Sequence, residues 1–158
     1  GLFQQVKAMG MPFTLHAGEC GSAQNIRDSI AAGAKRIGHG IAMRGDAALQ
    51  AVCKEQEIGI ELCPHSNLQT RAVASEAEYP LIEFLQAGIP VTINTDNRTV
   101  SGCTLTDEYA FVQKEWGVTD AQLWQMTENA VRVSFADEKT KTRLLEKIRQ
   151  SKMEAETI

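Results

Sequence analysis

Phe13-Thr14-Leu15-His16-Ala17-Gly18-Glu19-Cys20-Gly21-Ser22 decides the fold. A short apolar run ends on a histidine, a glycine-bearing turn follows, and Ser22 stands where a helix N-cap belongs, ahead of an amphipathic stretch to Ala32. Gly33 stops that stretch. Strand, turn and helix in this order make one βα unit, and the pattern recurs three more times. The second unit is Lys35-Arg36-Ile37-Gly38-His39, a turn from Gly40 to Gly45, and a helix to Gln56 capped by Asp46. The third runs from Ile58 to Cys63, stops at Pro64, and after a long polar loop enters a helix from Pro80 to Ala87 that Gly88 closes. The fourth is Ile89 to Asp96, a loop to Gly102, and a helix from Thr104 to Trp116 ended by Gly117. Two helices without a strand between them follow, one from Thr119 with Gln122 at capping-box spacing, the other from about Asp137 to Ser151. Ahead of everything, Leu2, Phe3, Val6 and Met9 at helical spacing read as the tail of a helix.

Four consecutive units fit either an open doubly wound sheet or part of a closed (β/α)8 barrel. His16, Glu19, His39, Ser66, Asn67, Asp96 and Asn97 all fall at or just past the carboxyl ends of the predicted strands, where barrel enzymes place their sites. A barrel takes about 200 to 250 residues or more. The 158 residues therefore read as an α/β half barrel, strands five to eight with their helices plus carboxyl-terminal helices. Residues 1–158 form one domain in this reading, and the start at Gly1 reads as a cut from something longer, with the amino-terminal half missing.

Composition narrows the function. With 43% hydrophobic and 23% charged residues the chain belongs with globular proteins. Its apolar runs are far shorter than the roughly 18 to 20 residues that span a bilayer, so no membrane partner is expected. A formal charge of -4 gives no footprint for nucleic acid. Cys20, Cys53, Cys63 and Cys103 form no C-x-x-C pair and read as reduced thiols, which points to the cytoplasm.

The candidate chemistry sits at the strand ends. His16 offers an imidazole suited to zinc, Glu19 a carboxyl group suited to proton transfer, and Gly18 a tight turn between them. His39 lies between Gly38 and Gly40, which leave its ring room for a ligand or a water. Asp96 tips the last strand, with Asn97 beside it. Each has a structural alternative: a strand-end histidine satisfied by backbone, or an Asp or Asn opening a loop. Cys63 and His65 stand two apart, but Pro64 leaves their geometry open; Cys63 is read as core and His65 as a loop residue.

Taken in order, His-Ala-Gly-Glu at 16–19, Arg-Ile-Gly-His-Gly at 36–40, Glu-Leu-Cys-Pro-His-Ser-Asn at 61–67 and Asn-Thr-Asp-Asn at 94–97 resemble the adenosine deaminase family over roughly Gly1 to Arg149. The resemblance implies a zinc-dependent (β/α)8 barrel hydrolase of purine metabolism that converts adenosine or 2'-deoxyadenosine to the inosine product and ammonia. It makes His16 and Asp96 zinc ligands. It makes Glu19 the proton donor to purine N1 and His39 the residue that orients and deprotonates the metal-activated water, with Asp96 also accepting a hydrogen bond from that water. Gly18 and Asn97 become substrate contacts. Asn97 replaces an aspartate found in many members at the purine N7 contact, and its amide can still donate there.

The family's H-x-H zinc pair has no match among the three histidines. A catalytic zinc takes three protein ligands, and two matched ones predict weak zinc binding and an inactive isolated chain. The expected partners are a purine nucleoside and either the absent half or a second copy that covers the open sheet edges. Related deaminases of adenine, AMP or a modified nucleoside are the nearest alternatives. From another class comes a non-catalytic α/β fragment or interaction module. Polynucleotide and cytidine deaminases fit less well, lacking H-x-E and P-C-x-x-C.

Overall fold

Side-chain alternation organises the sheet. In the computed structural model, which describes residues 1–155, β1 (Thr14–Ala17), β2 (Arg36–His39), β3 (Gly59–Leu62) and β4 (Val91–Ile93) lie side by side in that order, all parallel. The register aligns Leu15, Ile37, Ile60 and Val91 in one row across the sheet. Ile37, Ile60 and Val91 are completely buried. One residue along each strand, the row on the opposite face is His16, Gly38, Glu61 and Thr92. A period of two thus separates an apolar face from a polar one.

The helices in chain order are α1 (Leu2–Ala8), α2 (Ala23–Ala32), α3 (Ala47–Glu55), α4 (Pro64–Gln69), α5 (Leu81–Ala87), α6 (Arg98–Ser101), α7 (Leu105–Trp116), α8 (Asp120–Arg132) and α9 (Glu138–Ala155). Ile26 of α2, Leu49 of α3, Phe84 of α5, Val112 of α7 and Met126 of α8 join the apolar sheet row in one core. The four units and both carboxyl-terminal helices match the sequence reading. So do the caps: Ser22, Asp46 and Thr119 accept hydrogen bonds from the amides of Asn25, Leu49 and Gln122, and Thr104, read as the first residue of its helix, is the cap that accepts from Asp107. Helix α9 runs past Ser151 to Ala155. No described helix is long and apolar enough to cross a membrane.

Two short helices depart from expectation. Pro64 ends β3 as predicted, but it also occupies the first turn of α4, where its missing N–H costs nothing and its fixed φ suits a helix. The polar stretch after β3 therefore starts as helix, and His65 belongs to α4 rather than to a loop. Helix α6 forms because the Asn97 side chain accepts the Val100 amide at 3.0 Å. Cys63 is buried core, as read from the sequence.

Cys53 and Cys63 are held out of water in the core. Burial pushes Cys53 from an ordinary 9.0 up to about 11 and Cys63 up to about 12. The folded state keeps these protons more tightly than the unfolded chain, so their stabilisation is full below pH 9 and is lost as pH rises through 11 to 12. Urea midpoints should accordingly fall between pH 9 and 11, and Cys53→Ala should flatten part of that fall.

Candidate functional site

His16 is an exposed side chain on the polar face of β1, directly across from Gly38 of β2. A Cβ on residue 38 would lie 2.6 Å from His16 Cδ2 and 3.1 Å from its Nε2. The imidazole therefore needs a glycine beside it. After β1 the chain turns at Gly18, whose φ of +68° and whose approach to Ile26 of α2, 2.4 Å from a built Cβ, both exclude a larger residue. That turn carries Glu19 back over the strand ends.

His39 closes the group. Alternation alone would send it to the helix-covered face with Ile37, but its φ of +67°, rare outside glycine, breaks the strand's geometry. Its ring stands edge-on to His16, with centroids 5.0 Å apart and planes at 87°. Nε2 lies 3.5 Å from Glu19 Oε2, and Nδ1 lies 3.0 Å from the Asn67 amide nitrogen. Asp96 is exposed just past β4, and the Ser66 hydroxyl donates to its Oδ2 at 2.8 Å. Asn97 caps α6 through Oδ1, which leaves its amide N–H groups as the side chain's donors.

His39 thus lies beside both His16 and Glu19, while Asp96 is tied to His39 through α4: Ser66 holds Asp96, and the next residue holds His39. Tyr79 and Glu108 are the residues that sequence reasoning missed. The Tyr79 hydroxyl donates to Asn67 Oδ1 at 3.1 Å across 12 positions. Glu108, completely buried on α7, accepts from the His65 backbone at 3.4 Å, pairs with His65 Nδ1 at 2.9 Å, and accepts from the Cys103 thiol at 3.5 Å. Nothing in local pattern marks either residue, since both act through long-range contacts.

Among the described residues, His65, Cys103 and Glu108 are the one group of three potential metal ligands whose ligand atoms all lie within 4.8 Å of one another. Burial and the neighbouring Glu108 carboxylate push the Cys103 thiol up, so it serves as a hydrogen-bond donor to that carboxylate. The cluster ties α7 to α4. For zinc at the strand ends, the donor types of His16 and Asp96 are suitable and the glycine slot holds the His16 ring in place, but a catalytic site needs a third protein ligand. A groove of about 570 Å³ lined by Pro12, Lys35, Glu57, Pro90 and Arg132 lies instead at the amino ends of the strands, far along the sheet from this chemistry.

Polar groups gathered at the carboxyl ends of parallel strands, with helices over the apolar face, are the arrangement of part of a (β/α)8 barrel. The model of the family described as adenosine deaminase matches residues 1–151. The chain belongs to the adenosine deaminase family. It is 43% identical over 143 residues to the adenosine deaminase of Enterococcus faecalis, covering 90% of this chain and 42% of that protein. It therefore spans less than half the length of this relative. Among solved structures, adenine deaminase from Arthrobacter aurescens aligns with a TM-score of 0.88 at 29% identity, over 94% of this chain and 46% of the other. An amidohydrolase from Burkhoderia ambifaria with bound zinc aligns with a TM-score of 0.89 at 22% identity, over 98% and 44%, and shares the fold.

Gly38→Ala puts a methyl group into the His16 ring. The expected result is a displaced His16 ring, read as altered His16 ring signals in NMR, with at most about 1 kcal/mol lost in denaturant unfolding because the exposed ring can turn aside. An unchanged midpoint and spectrum would mean that the ring does not occupy this slot.

Proposed function

We propose that this chain supplies the carboxyl-terminal half of an adenosine deaminase active site, for the hydrolysis of adenosine or 2'-deoxyadenosine to inosine or 2'-deoxyinosine and ammonia. The observation that carries the reading is the Glu19 carboxyl group 3.5 Å from His39 Nε2, beside His16, at the strand ends of a chain in this family. The purine class of substrate follows the names of the relatives, an adenosine and an adenine deaminase.

His16 and Asp96 would hold zinc, with the remaining protein ligand coming from outside these 158 residues. Zinc, when bound, supplies the Lewis acidity that makes water a nucleophile near neutral pH. The other groups act on proton and position. Glu19 carries the proton that goes to purine N1 as water adds at C6, which weakens the ring's hold on its amino group. His39 orients the attacking water. Asp96, its Oδ2 already engaged by Ser66, accepts a hydrogen bond from that water. The Gly18 turn brings backbone close to the base, and the Asn97 amide donates to N7, its oxygen being committed to the α6 cap. The Asp96 carboxylate takes the proton that the water gives up on adding, and ammonia leaves with that proton as the carbonyl of the product forms.

The same reading makes the chain one domain of a split barrel. β1 and β4 are the edges of the described sheet, and His16 on the polar face is exposed. The complementing strands, or a second copy, would pair with those edges.

The test is the fall in adenosine absorbance with zinc present, run on the 158-residue chain and on a full-length enzyme carrying it, with adenine and AMP as competing substrates. The isolated chain should not turn over. The full-length enzyme should deaminate adenosine in preference to the others, and Glu19→Gln should lower its kcat by at least about 100-fold, the ordinary share of a proton donor. Turnover by the isolated chain would show that the ligand count is wrong.

A further inference from the structure

We propose that Tyr79 and Asn67 are positioning residues that hold His39 in a single tautomer, with its proton on Nε2 and facing Glu19. Only the catalytic consequence rests on the proposed deaminase function; the tautomer stands on geometry alone.

The argument follows the direction of three hydrogen bonds. The Tyr79 phenol is buried, and burial pushes its pKa well above the usual 10.0, so it remains an O–H donor. Among the described residues, the acceptor for the phenol hydrogen is Asn67 Oδ1, at 3.1 Å. This sets the orientation of the Asn67 amide. A flipped amide would place its NH2 against the phenol and leave a buried O–H without an acceptor, a penalty of about 1 to 3 kcal/mol. With Oδ1 toward Tyr79, the Asn67 Nδ2–H points at His39 Nδ1, 3.0 Å away. An N–H donor there demands an unprotonated, accepting Nδ1. Neutral His39 then carries its hydrogen on Nε2, 3.5 Å from Glu19 Oε2.

Surroundings keep the relay in this state. Asn67 is completely buried and His39 nearly so, so water does not substitute for either partner. Asn67 is fixed on α4, which Glu108 clamps through both the backbone and the ring of His65. The phenol ring of Tyr79 stacks on Trp116 at 4.9 Å.

For catalysis the relay selects between the two actions that the family resemblance assigns to His39. An imidazole with hydrogen on Nε2 orients a partner by donating to it, and cannot take a proton at that nitrogen. Its Nε2–H faces Oε2 of Glu19 at 3.5 Å, longer than a formed hydrogen bond, so it stays available to the water while the Glu19 carboxyl group carries the proton destined for N1. Deprotonation of water by His39 would require the Asn67 amide to flip and the Tyr79 phenol to lose its acceptor.

Long-range proton–nitrogen NMR of the 15N-histidine-labelled, metal-free chain reads the tautomer of each of the three histidines directly. His39 should show a pyridine-type Nδ1 and a pyrrole-type Nε2. Asn67→Asp, which offers only acceptors, should move the hydrogen to Nδ1. Tyr79→Phe removes a single hydroxyl and should release the amide, giving a mixture of tautomers. In a full-length enzyme carrying the chain, Tyr79→Phe should lower kcat by about tenfold or more with KM held, as expected when an imidazole loses its fixed tautomer. A pyrrole-type Nδ1 in the unsubstituted chain, or a Tyr79→Phe spectrum identical to it, overturns the proposal. Failure of adenosine turnover with the expected tautomer in place would overturn the deaminase reading and leave the relay standing.

Discussion

The row of Leu15, Ile37, Ile60 and Val91 across four strands is the contact on which the rest depends. Fully burying a side chain of this size stabilises by roughly 1.5 to 3 kcal/mol, and three of the four are completely covered by helices. Because side chains alternate, seating this row forces His16, Gly38, Glu61 and Thr92 together on the other face. A slip of one residue in any strand would bury its polar set and expose its apolar one. The register that builds the core therefore also builds the polar face. Thr14 and Arg36 both engage Glu61 lower on that face, at 3.2 and 3.1 Å, away from the strand ends.

At the carboxyl ends regularity gives way to strain and polar contacts. His39 leaves the strand with a left-handed backbone, a conformation that costs on the order of 1 to 3 kcal/mol for a residue with a side chain. It is offset by the hydrogen bond to Asn67 and the packing around a nearly buried ring. The platform for this is α4, six residues long and too short to be stable alone. Its stability comes from outside, chiefly from the buried Glu108 carboxylate that takes one backbone and two side-chain donors. A helix of the fourth unit thus positions a residue of the third against a histidine of the second. The site is assembled by packing between units, although each unit contributes its own polar tip.

Much of this was legible beforehand because the signals are local. Ser22, Asp46 and Thr119 cap helices through bonds that span three residues, and such bonds depend on little beyond the adjacent chain. The strand ends were legible for the same reason, since an apolar run followed by glycine and a polar group states where a strand stops. Helices α4 and α6 were not. Pro64 carries two meanings, end of strand and start of helix, and only the bond from α7 to His65 chooses the second. Local pattern alone therefore makes His65 a loop residue. Ser66 and Asn67 were seen as polar groups near a strand end, yet their partners, Asp96 and His39, lie 30 and 28 positions away. Tyr79 carried no signal at all.

By itself the sequence determined the βα order, the named helix caps, the apolar strand runs and the identity of the polar residues at each strand tip, because these follow from period, turn chemistry and bonds within a few residues. It also carried the family resemblance through four ordered motifs. Tertiary structure alone decided which tips meet: that His16 needs Gly38 beside it, that His39 turns back toward Glu19, and that Asn67 and Tyr79 orient its ring. Those are contacts between atoms brought together by parallel register and helix packing. Their geometry exists only once the sheet has closed around its buried row.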